Sequence, residues 1–160
     1  MNNYQAVASP LIRVWIPAGA ALFVAGLMVS AWVVPALRLL HFLQALIYAG
    51  VVILARRNNA LGFGAGVTVA VVWNGLNLFV THLMQAGAAA FWSFLHTGQL
   101  RRLDTMMVPL AGAGHFILMI SCLTAVLRLP AGKKKWLNFA TGGVLVIAYF
   151  ILIVAIARPH

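Results

Sequence analysis

Acidic residues are almost missing from this 160-residue chain: one carboxylate side chain, Asp104, stands against eleven Lys and Arg, for a net charge of +10 with histidine neutral. Charged residues make up 8 % of the sequence and hydrophobic ones 64 %. A soluble domain carries roughly a quarter charged residues, so the polar shell of a water-exposed globule is lacking. A single acid excludes hydrolysis by a carboxylate pair and carboxylate-held Mg²⁺ or Ca²⁺. It also removes the intramembrane acids that proton-coupled transporters generally use. With one cysteine, Cys122, no internal disulfide forms, and cysteine usage does not identify a compartment. Ser30, Ser93 and Ser121 lack an acid–base set, so a nucleophilic hydrolase is not expected.

What the chain does contain is long apolar runs between short clusters of cations. The clusters come in ones, twos and threes rather than along one polar face, so nucleic acid is not the implied partner. They fit instead the ends of membrane spans. The run after Arg13 is roughly 21 residues, longer than the apolar core of a cleaved signal peptide, and reads as an uncleaved first span. The pattern predicts an all-α, polytopic helical bundle in one transmembrane domain over residues 1–160. Its five spans lie near 14–34, 38–55, 60–83, 105–127 and 136–157. Residues 84–104 are too weakly apolar to cross and read as an interfacial segment or helical extension, with Trp92 suited to the headgroup zone.

Orientation follows from the cations. With a cytoplasmic N-terminus, Arg13, Arg56, Arg57, Arg128 and Lys133–Lys135 fall inside, against Arg38, Arg101, Arg102 and Arg158 outside. The expected location is a bacterial-type inner, or cytoplasmic, membrane.

Polar side chains inside spans are informative because each needs a partner. At about 100° per residue, His41, Gln44 and Tyr48 share one face of the second span, with Arg38 a turn earlier. Asn74, Asn77, Thr81 and Gln85 share a face of the third, with His82 at its edge. His115, Met119 and Cys122 share a face of the fourth. His41, His82, His96 and His115 all fall in the same half of the membrane, and His160 is terminal. Gly19 with Gly26, and Gly142 with Gly143, have the look of close helix contacts. Gly62, Gly64 and Gly66 do not make a nucleotide loop, since no soluble strand precedes them and no acid follows.

Four roles compete for this constellation. In the first, haem b is held by axial His41, His82 or His115, with Arg38, Arg101 and Arg102 facing its propionates. In the second, copper is held by His82, His115, Met119 and Cys122, a donor set suited to Cu(I). A quinone or lipid-headgroup pocket near the same surface is the third, with His41, Gln44, Tyr48 and Asn77 as hydrogen-bonding groups. In the fourth, the same polar residues simply join helices, at roughly 0.6 to 2 kcal/mol each. The function expected from these is a haem- or quinone-binding, redox-associated subunit of a membrane complex. The alternatives are an accessory subunit without chemistry, and a small-solute channel along the Asn74–Gln85 stripe. Besides the bilayer, the expected partners are other membrane subunits or further copies of the chain.

Overall fold

The computed structural model describes residues 10–100 and 102–156. Six helices carry the described residues, and no strand occurs among them. Helix α1 (Ile16–Val33) is entered through a π-helical turn, Leu11–Trp15. It ends where Val34 closes onto the Ser30 carbonyl and Pro35 begins a 3₁₀ turn. Helix α2 (Arg38–Arg56) ends at Asn58, whose φ of 53° is left-handed, a conformation asparagine tolerates. Asn59 then caps α3 (Ala60–Gly75), its side-chain oxygen accepting the Leu61 N–H at 3.0 Å. A π-turn, Leu76–Val80, prolongs α3, and His82 breaks the helix with φ 54°. Helix α4 (Leu83–Thr97) stops at Gly98, φ 66°. Helix α5 (Leu103–Arg128) runs on through Pro109, and α6 (Lys133–Ile156) follows the Pro130–Gly132 turn.

Five segments are long and apolar enough to cross a bilayer: 12–33, 35–56, 60–80, 103–128 and 133–156. Large apolar side chains face outward around them, Phe79 at 79 % exposure and Ile151 at 67 % among them. In water such surface would be covered by a partner; here it meets lipid, and the chain is a multi-pass membrane protein. One boundary differs from the sequence expectation. The third span stops at Val80 rather than 83, because the π-turn and the left-handed His82 end it. Residues 84–104 are mostly a helix in their own right, and Gly87 of α4 lies against Thr105, Val108 and Pro109 in the first turns of α5.

The packing is set by small residues. A Cβ at Gly19 of α1 would come within 2.7 Å of the Gly114 carbonyl oxygen of α5, and Gly26 abuts Ala111, so these helices run antiparallel in close contact. Helix α3 is the hub. Its three alternate glycines each seat a different neighbour: Gly62 against Leu54 and Ala55 of α2, Gly64 against Phe139 of α6, Gly66 against Cys122 of α5. Gly142 of α6 meets the Leu61 backbone in return. Around them Phe23, Val51, Phe63, Val69, Leu118 and Val126 form the core.

Candidate functional site

The deepest polar group is His115, at 0 % exposure near the middle of α5. Tyr48 of α2 places its hydroxyl 2.6 Å from Nε2, and Asn74 of α3 places Oδ1 3.3 Å from Nδ1. The phenol donates to Nε2, so the ring proton sits on Nδ1 and points at the amide oxygen. Phe23 of α1 stacks on the imidazole with centroids 3.8 Å apart, and Trp73 meets it edge-on at 4.9 Å. Four helices thus converge on one neutral imidazole, with both ring nitrogens engaged.

Above this layer, toward the end that carries Arg38, lies a cavity of about 150 Å³. Phe23 and Trp73 line it as well as touching His115, while Ser30, Leu37, Leu83, Asp104 and Met107 bring it toward the end of the bundle. His41, Gln44 and Asn77 supply its polar wall. His41 Nδ1 and Gln44 Oε1 are buried and have no hydrogen-bond partner. The His41 imidazole presents Nδ1 as donor or acceptor according to its tautomer, and the Gln44 amide oxygen accepts. They sit three residues apart on one helix, hence on one face. Asn77 is spent internally: its amide donates to the Trp73 carbonyl at 2.8 Å, and its oxygen takes the Thr81 hydroxyl at 3.2 Å.

The other sequence candidates are dispersed. Tyr48 is turned away from the cavity toward His115. Arg38 is exposed and its Nε donates to the Ala31 carbonyl at 3.1 Å, closing the end of α1. His82 is exposed at the helix break, far in role and burial from His115. Met119 is half-buried a turn past His115. Cys122 is fully buried against Gly66, roughly 10 Å along α5 from His115 at 1.5 Å per residue. Among the described residues no three His, Cys, Asp or Glu side chains gather to hold a metal ion. Axial ligation of haem by His115 would need Tyr48 or Asn74 to release a ring nitrogen, and a porphyrin exceeds the cavity. Gln85 leaves the expected polar stripe: the left-handed His82 after the π-turn ends the helix, and Gln85 on α4 donates its amide to the Leu78 carbonyl on the exposed side. His96 bonds the Trp92 carbonyl on exposed α4. Arg101, Arg158 and His160 lie outside the described residues.

Trp73 carries only an indole N–H in need of a partner as its sign in the sequence, and Phe23 had no polar signature to mark it. Asp104 did, as the one acid of the chain; it pairs with Arg102 at 3.1 Å while lining the cavity. That pairing holds the exposed Arg102 guanidinium above its ordinary pKa, through the hydrogen bond first and the carboxylate charge second.

No known protein family matches the chain, and neither does any characterised protein or solved structure.

Proposed function

We propose that this membrane protein binds the ring of a membrane quinol in the His41–Gln44 cavity, as a redox-associated subunit. One observation carries the reading: two buried polar atoms, His41 Nδ1 and Gln44 Oε1, lack partners on residues that line a single small cavity. Buried polar atoms are nearly always bonded, so such a pair in an otherwise apolar bundle is where a ligand's donors belong. The volume, about 150 Å³, suits one aromatic ring, since a cavity of about that size admits benzene. The Gln44 amide oxygen needs a donor and His41 Nδ1 takes either role, so a ligand with hydroxyl groups, the reduced hydroquinone, suits the pair better than a quinone, which offers carbonyl oxygens alone. The apolar lining of Leu37, Leu83 and Met107 is compatible with a tail leaving toward lipid.

The test is titration of detergent-purified protein with a short-tailed benzohydroquinone and with its dimethyl ether, which keeps the ring and loses both donors. Each hydrogen bond contributes about 0.5–1.5 kcal/mol, so the ether is expected to bind about ten- to a hundredfold more weakly. His41→Leu and Gln44→Leu should each bring the hydroquinone toward the affinity of the ether. Equal binding of the two compounds, or unchanged hydroquinone affinity in both variants, refutes the assignment.

A further inference from the structure

At the opposite end of the bundle, the α2–α3 turn and the start of α6 carry Arg56, Arg57, Lys133, Lys134 and Lys135. The chain's one acidic side chain is in the first turn of α5, at the other end, so no acidic side chain of this protein neutralises them. Lys135 donates to the Leu129 carbonyl at 3.1 Å and lies 5.0 Å from the Trp136 ring centroid. Arg56 and Arg57 are exposed.

Beside these arginines begins a groove of about 440 Å³ between α2, α3 and α6. Gly50, Leu54, Leu61, Ala65, Gly142 and Tyr149 are among its walls. Its one polar side chain is satisfied within the protein, because the Tyr149 hydroxyl donates to the Leu43 carbonyl at 3.0 Å. Gly50 opens onto free space: a Cβ there would meet nothing within 4 Å.

The extent of the groove selects its occupant. From Leu46 to Leu54, α2 rises about 12 Å at 1.5 Å per residue. One leaflet of a roughly 30 Å hydrocarbon core is about 15 Å deep. A neighbouring helix packs along a seam through the whole core, whereas an acyl chain anchored at the basic end fills one leaflet. Arg56 and Arg57 follow Leu54 by two and three residues, just past that end of the groove; guanidinium groups match a phosphate in geometry and charge, and juxtamembrane basic clusters attract anionic headgroups. The geometry points to a site for an anionic phospholipid, one acyl chain lying in the groove and the headgroup phosphate on Arg56 and Arg57.

Native mass spectrometry of the intact chain in detergent, titrated with phosphatidylglycerol or phosphatidylcholine of identical chains, tests this. A one-to-one phosphatidylglycerol adduct is expected to outlast the phosphatidylcholine adduct. Arg56→Gln with Arg57→Gln should weaken phosphatidylglycerol retention roughly thirtyfold from the lost attraction of two charges, while Arg56→Lys with Arg57→Lys largely keeps it. Gly50→Leu, whose Cβ meets no neighbour within 4 Å on a wall of the groove, should weaken retention of both lipids. Equal retention of the two lipids by the unaltered chain overturns the proposal. So does phosphatidylglycerol retention indifferent to both the glutamine pair and Gly50→Leu, or a dimer that Gly50→Leu abolishes while the lipid adducts persist.

Discussion

Replacing Tyr48 with phenylalanine removes one oxygen from the most enclosed polar contact in the molecule. The phenol is 2.6 Å from Nε2 of a histidine at 0 % exposure, at the short end of hydroxyl hydrogen bonds. Without it Nε2 has no donor, and Phe23 and Trp73 on the ring leave a replacement no easy approach. An unsatisfied buried acceptor costs about 1–3 kcal/mol in water-soluble proteins. Interhelical bonds in membranes average about 0.6 and reach about 1.7 kcal/mol, because the unfolded helices also find partners. The void left by one oxygen adds roughly 0.3 kcal/mol at 24 cal/mol per Å³. The enclosed site places the total near the upper membrane value, about 1.5 kcal/mol. The assay is a thermodynamic unfolding measurement in bicelles, run as a double-mutant cycle of Tyr48→Phe with His115→Leu. A coupling of about 1 kcal/mol is expected, the double variant being less damaged than the two single changes together suggest. A Tyr48→Phe loss below about 0.3 kcal/mol, or additivity within that margin, would refute the idea that this bond helps hold the helices together.

Two further outcomes follow from the packing. Gly64→Ala drives a methyl into the Phe139 backbone and should destabilise by about 1–3 kcal/mol. Gly50→Ala meets nothing and should be neutral or stabilising by up to about 1 kcal/mol through helix propensity; equal effects of the two in the same unfolding assay would contradict the hub role of α3. The Cys122 thiol, sealed between helices at 0 % exposure, should resist maleimide in mild detergent and react once SDS unfolds the bundle. Labelling at the same rate in both would show that the α3–α5 contact is open.

The number and placement of the spans were readable from apolar run length and cation position, because burial in lipid constrains composition residue by residue. His115, Tyr48 and Asn74 were readable as intramembrane polar residues, but their union was not. Which helix faces which depends on where Gly19, Gly62, Gly64 and Gly66 let backbones approach, and that is a property of pairs of helices rather than of one stretch. The same limit applies to His41 and Gln44. Their shared face was evident from spacing, whereas their lack of partners depends on what α1, α3 and α5 bring opposite them. The separation of Gln85 from Asn74 comes from the π-turn at Leu76–Val80 and the helix break at His82, which a continuous 100° rotation does not include.

The His115 contacts also impose an order in time. Asn74 precedes its histidine by 41 residues and Tyr48 by 67. At roughly 5 to 20 residues per second of synthesis, a chain inserted as it is made leaves the Asn74 amide waiting on the order of 2 to 8 seconds for the imidazole, and the Tyr48 phenol longer. During that interval α1, α2 and α3 form an incomplete assembly with two exposed polar handles inside the bilayer. The arrival of α5 closes it. A chain truncated before His115 therefore lacks the imidazole that joins the Tyr48 phenol and the Asn74 amide.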